Sequence, residues 1–206
     1  MLDLPSPDPS IEIVIASQGM SKGLRQTDGV QLVVRPEIAF GHAYAGLLAK
    51  NVTSPVTDAE GQAFVGYRTH AGGFELNASI GYHHQLGVHG RTDADRFEFT
   101  ASAARPIGPV TPRLAATYSP DDFGATRQSL YLEGGASVTV FRGTSLSVNL
   151  GRRERVGGPD YTSFNAGVSY ALTRWLNADL RYYDTAQSAL GAIYEPRLIG
   201  SVRLRF

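Results

Sequence analysis

The final segment, Tyr194-Glu195-Pro196-Arg197-Leu198-Ile199-Gly200-Ser201-Val202-Arg203-Leu204-Arg205-Phe206, places an apolar side chain at nearly every second position and ends on an aromatic carboxy-terminus. A strand sends successive side chains to opposite faces, so this segment asks for an apolar medium on one side and water on the other. A soluble sheet would seldom finish a long strand on an exposed Phe. A closed barrel in an outer membrane pairs its last strand with its first and seats the terminal ring at the membrane interface.

Composition is compatible with that reading. With 42% hydrophobic residues and a mean hydropathy of −0.15, no stretch approaches 18 uninterrupted apolar residues, which excludes helical membrane spans. Barrel strands escape such a scan because lipid-facing and lumen-facing residues alternate and average out. The 23 Gly and 10 Tyr suit many strands joined by turns, and a net charge of zero gives no reason to expect nucleic acid. The chain has no Cys, which removes disulfides and thiolate chemistry. Residues 1–10 lack the basic and apolar regions of a secretory signal, so an export signal is expected to have been removed from this numbering. Three prolines make 1–10 an expected unpaired leader, with a single barrel domain over 11–206.

Period-two patterning predicts an all-β chain of about twelve strands, the first near Ile11 to Met20 and the last from Tyr194 to Phe206. The links alternate long and short without a break, beginning with the long Ser21 to Thr27 and the tight Gly41. That is the rhythm of a transmembrane up-and-down antiparallel barrel with long extracellular loops, short periplasmic turns and periplasmic termini. Faces agree: Phe74, Leu76, Ala78, Ile80 and Tyr82 oppose Glu75, Asn77, Ser79, Gly81 and His83. The third strand is ambiguous, because Leu47 and Leu48 are adjacent. Phe40, Phe74, Phe141, Tyr170, Trp175 and Phe206 near the tight turns, and Tyr82, Phe97, Tyr118, Tyr161, Tyr182 and Tyr194 near the long loops, predict two interfacial girdles.

Three stretches, Lys22-Gly23-Leu24-Arg25-Gln26-Thr27-Asp28-Gly29, His42-Ala43-Tyr44-Ala45-Gly46 running into Lys50-Asn51-Val52, and Tyr118-Ser119-Pro120-Asp121-Asp122-Phe123-Gly124, together resemble the TorF family of porins. The chain departs from that pattern at Lys22, Arg25 and Lys50. The resemblance implies an outer-membrane barrel with a channel role, and no catalytic residue or substrate. Val202, Leu204 and Phe206 alternate as an assembly signal, although Gly200 stands one place before the usual glycine. Likeness to outer-membrane proteins thus implies the barrel assembly machinery as a partner, together with outer-membrane lipid and lipopolysaccharide.

By parity the lumen receives Arg35, Arg68, Arg96, Arg113, Arg181, Arg197, Arg203 and Arg205, against Glu37, Glu60, Glu75, Glu98, Glu133, Asp179 and Glu195. Eight-stranded barrels are filled by side chains and sixteen-stranded ones hold water, so twelve strands are intermediate. The expected function is a narrow porin-like channel for passive diffusion of small polar solutes or ions, weakly selective because the charges nearly cancel. The rival reading is a salt-bridged, closed structural barrel, or one that binds ligand. An enzyme would need a lipid-facing Ser near the lipid-facing His84, and Ser79 and Ser119 both read as inward. No cofactor is expected. His83, His84, His89, Asp93 and Asp95 carry metal-donor groups without metal-site spacing, and Asp121-Asp122, as candidate ligands for divalent cations shared with lipopolysaccharide, are no stronger.

Overall fold

The computed structural model describes residues 5–54, 57–88, 93–124 and 126–206. Twelve strands form one closed antiparallel barrel: β1 (Pro7–Ala16), β4 (Gln31–Phe40), β5 (Ala43–Asn51), β6 (Ala59–Ala71), β7 (Phe74–Leu86), β8 (Asp95–Ala104), β9 (Val110–Ser119), β10 (Ser129–Phe141), β11 (Thr144–Arg155), β12 (Tyr161–Ala171), β13 (Leu176–Asp184) and β14 (Arg197–Arg205). Between β1 and β4 lies a separate two-stranded hairpin, β2 (Met20–Ser21) and β3 (Leu24–Arg25). Each barrel strand pairs with its neighbours in sequence, and β1 closes the ring on β14. The expected all-β barrel of about twelve strands is therefore the observed fold.

Short turns gather at one end of the barrel and long connections at the other. At the tight end Ala71 pairs with Phe74 around Gly72 and Gly73, both at positive φ (59° and 79°). Two left-handed residues make the hairpin turn whose twist matches that of the flanking strands. The closing seam pairs Glu12 with Arg205 through Ala16 with Ser201, and Ile11 and Phe206 exchange two backbone hydrogen bonds of 3.0 Å. The Phe206 ring stacks on Trp175 with centroids 6.1 Å apart.

The start of the chain departs from expectation. Pro7, Asp8, Pro9 and Ser10, expected to be unpaired, pair with Phe40, Ala39, Ile38 and Glu37, and β1 ends at Ala16 rather than Met20. The Ile11 N–H points to β14. Alternation sends the backbone nitrogens of Pro7 and Pro9 to that same side, beyond the end of β14, where no ladder bond is required of them. Residues 1–4 of the expected leader lie outside the described residues.

Outward positions form an apolar belt. Leu76, Ile80, Leu114, Leu132, Val148, Val168, Leu180 and Val202 are all exposed on the outer wall, whereas Val138 on the same parity is half-buried. The ambiguous β5 resolves with Leu47 outward and Tyr44 buried on the other face, so Leu48 faces in. Two expected girdle residues are not in a girdle: Tyr161 is fully buried and Tyr194 nearly so, in a cluster with Leu24. Tyr161 has the inward parity of β12, and Tyr194 lies in a 3-10 turn (Ala192–Tyr194) of the last long connection.

Inside, glycines receive the large side chains of neighbouring strands. A Cβ at Gly46 would lie 2.4 Å from the Phe64 ring, and one at Gly151 would lie 2.2 Å from the Tyr131 hydroxyl. Gly66 and Gly135 stand in the same relation to Tyr44 and Asn149. Side chains long enough to cross the lumen therefore lie flat on its wall.

Candidate functional site

The β2–β3 hairpin folds into the lumen. Its two-residue turn, Lys22-Gly23, has positive φ at both positions (50° and 81°), the geometry of a tight type I′ hairpin. Gly23 abuts the opposite wall so closely that a Cβ would lie 2.3 Å from Ser163 Cβ. The Tyr161 hydroxyl donates to the Lys22 carbonyl (2.8 Å), and Leu24 packs with Tyr161 and Tyr194. Behind the turn, Gln26 Oε1 accepts from Lys50 Nζ (2.8 Å), and the Thr53 N–H donates to the Gln26 carbonyl (2.7 Å).

Around the turn lies a buried ionic network. Lys22 pairs with Glu98. Arg96 reaches Glu98 (3.3 Å), Glu60 (3.5 Å) and Asp122 (3.0 Å), and Asp122 also binds Arg153 and accepts from Ser129 (2.8 Å). His83 Nδ1 lies 2.8 Å from Glu60, which Lys50 approaches at 3.4 Å. Phe123 stacks beneath the Arg96 guanidinium at 4.1 Å. Burial pushes the Lys22 ammonium down to about 8, although Glu98 opposes the shift. Burial alone would raise the Asp122 carboxyl, but Arg96, Arg153 and Lys22 outweigh it and hold that carboxyl well below the usual range. With every charge facing an opposite one, the network ties the hairpin to β6, β7, β8 and β11 and obstructs the long-loop end.

Toward the tight turns the lumen is hollow. One cavity of about 410 Å3 lies against Lys22 and Gly23 and is lined by Arg113, Glu133, Asn149 and Asn165. A second, of about 490 Å3, shares Met20, Arg181 and Tyr183 with it and extends to Asp179 and Arg203. A third, of about 360 Å3, is lined by Glu12, Arg35, Glu37, Arg68 and Arg205. Arg181 is held by Asp179 (3.2 Å), Asn165 (2.7 Å) and Ser147 (2.8 Å).

The residues expected to line a pore thus divide. Arg35, Glu37, Arg68, Arg113, Glu133, Asp179, Arg181 and Arg203 border the cavities. Arg96 and Glu98 belong to the closure instead, because the hairpin meets their strand from within. Arg197 is tied to its own connection, donating to the Ala192 carbonyl (2.8 Å) and pairing with Glu195 (3.1 Å). Glu75 is exposed one residue from the start of β7. Glu60 and His83 have the inward parity expected of them and join the closure too, while Lys22, Lys50, Asp122 and Arg153 make it without having been expected in the lumen. The three stretches that carry the family resemblance supply Lys22, Lys50 and Asp122, which was the available signal.

Other candidate chemistry disperses. His83 faces in and His84 faces out, where His84 Nδ1 pairs with Asp95 (2.7 Å). His89 lies outside the described residues. Among the described residues no group of three or more His, Asp or Glu is placed to hold a metal. Asp122 turns inward, away from any lipopolysaccharide cation. Ser119 is buried and donates to the Phe97 carbonyl (2.7 Å), on the opposite face of the wall from His84.

Comparison with known proteins places this architecture among membrane barrels. The KdgM porin superposes with a TM-score of 0.66 at 10% identity, covering 96% of this chain and 99% of that one. The NanC porin gives 0.61 at 8% identity, with 95% and 97% covered. The COG4313 outer membrane channel from Pseudomonas putida F1 gives 0.58 at 14%, with 100% and 96% covered. At such identities the likeness is one of fold. No curated protein matches the sequence. The TorF name finds no support in these comparisons, but a family model does match residues 7–197, and the chain belongs to Gcw_chp, a family of bacterial proteins of unknown function.

Proposed function

We propose that this protein is an outer-membrane barrel acting as a narrow channel for passive diffusion of small polar solutes or ions, with the β2–β3 hairpin as its constriction. The observation that carries the reading is the hollow polar lumen below the hairpin, where cavities of about 410, 490 and 360 Å3 are lined by Arg, Glu, Asp and Asn. A purely structural barrel of this size has no need of solvated charge inside it, since buried charge is costly unless paired. In this reading the tight turns and both termini are periplasmic and the long connections extracellular, as in other barrels of alternating link length. The barrel assembly machinery would read Val202, Leu204 and Phe206, and lipopolysaccharide would surround the outer wall. A catalytic role is disfavoured because His84 and Ser119 sit on opposite faces of the wall.

The second reading, a closed structural barrel, draws on the ionic network at the long-loop end. Single-channel recording in planar bilayers decides between the two. The native chain should conduct weakly, and Gly23→Val, which cannot seat its side chain against Ser163, should conduct several-fold more. Silence from both proteins would favour the closed barrel.

A further inference from the structure

The charges that border the cavities are unequal in exposure, and Glu37 and Glu12 are each shared by two arginines. Arg113 has a side chain 53% exposed, while its partner Glu133, 3.8 Å away, is 21% exposed. Arg203 is 58% exposed against 18% for Glu12 at 3.7 Å. Arg68 and Arg35 are 48% and 33% exposed, and the Glu37 they share only 10%. In each pair the carboxylate lies against the wall and the guanidinium faces the cavity. Glu133 is held there by the Tyr131 hydroxyl, which donates to Oε2 (3.0 Å). The reverse order occurs at Arg181 and Asp179, 15% and 27% exposed, where the guanidinium is already bound by Asn165 and Ser147. At the tight-turn mouth Asp8 and Glu75 are exposed, as are Arg105 and Arg205, so the bias lies deeper in the lumen.

A solute in the cavities approaches the exposed member of each pair more closely than the covered one, and Coulomb attraction falls with distance. Arg35 and Arg68 are laid on the Phe64 and Tyr44 rings at 4.5 and 4.3 Å, which fixes them to the wall. Arg113 and Arg203 have no ring beneath them among the described residues. A guanidinium presents a planar fork of donors that matches a carboxylate in two parallel hydrogen bonds.

We propose that the lumen is selective for small carboxylate anions, which contact Arg113 and Arg203. This rests on the channel reading and names its solute class, and it reverses the weak selectivity that a count of charges predicts.

Reversal potentials across a potassium chloride gradient in planar bilayers give the first test. The expected anion preference is about fivefold, the bias of one unit charge at 4 Å in water. Arg113→Gln with Arg203→Gln should abolish it, Arg113→Lys with Arg203→Lys should retain it, and Glu133→Gln should raise it by less than Arg113→Gln lowers it. Cation preference would overturn the proposal, as would equal and opposite shifts from Glu133→Gln and Arg113→Gln. The second test needs no conduction. Acetate resonances should broaden on addition of the detergent-refolded barrel, methylammonium resonances should not, and the double Gln variant should remove the effect. Unbroadened acetate sinks carboxylate recognition even in a conducting barrel. Acetate broadening by a barrel that never conducts supports the recognition and rejects the channel reading alone.

Discussion

Lys22 shows how one residue joins local backbone to a barrel-wide contact. Its left-handed φ of 50° makes the turn, its carbonyl accepts from Tyr161, and its ammonium pairs with Glu98. Burial lowers its pKa from 10.5 to about 8, so between those values the docked hairpin binds fewer protons than an undocked one with solvated Lys22. Linkage then requires docking to strengthen as pH rises from about 8 toward 10.5. Single-channel conductance should fall over that window, and Lys22→Met should flatten the dependence. A conductance that rises with pH in the native chain and not in Lys22→Met would contradict this assignment.

The seam between β1 and β14 is the element on which closure depends. Five register pairs and the two Ile11–Phe206 backbone hydrogen bonds join them, fewer than join most other neighbours. Deleting Phe206 removes both bonds and the ring stacked on Trp175. Folding into lipid vesicles should slow severalfold, with little change in the final strand content by circular dichroism. Because Trp175 is the single Trp of the chain, its fluorescence reports the same event. The emission maximum should shift to the blue as the seam closes, and later in the truncated protein. Identical folding traces for the two proteins would show that the terminal ring contributes nothing to closure.

For the molecule as a whole, the division between an apolar exterior and a charged interior makes sense only in a bilayer. Leu114, Leu132 and Leu150 are exposed on the outside while Glu133, Gly151 and Arg153 occupy intervening inward positions. Placing Arg at the outward Leu76 should cost about 2 to 4 kcal/mol in a lipid bilayer, against little for the same change at a loop position such as Ala186. Urea titration in vesicles measures the difference. Equal midpoints for Leu76→Arg and Ala186→Arg would remove the outer wall from contact with lipid.

Much of this was written in the sequence because a strand in a barrel wall is a local object. Alternation at Phe74 to Tyr82 fixed which side chains face out, and the rhythm of long and short links fixed a sequential antiparallel order of strands. Gly41, read as a tight link, takes the positive φ of such a turn (61°). What periodicity does not encode is where a long connection goes once it leaves the wall. The expected link at Ser21 to Thr27 became a hairpin because Lys22 finds Glu98 at a separation of 76 residues and the Lys22 carbonyl finds Tyr161 at a separation of 139. Likewise, parity placed Arg113 and Glu133 on one face, but only packing made one of them solvent-facing and the other covered. Local alternation determined the wall of this protein, and contacts between residues remote in sequence decided how its lumen is closed and which charges it presents.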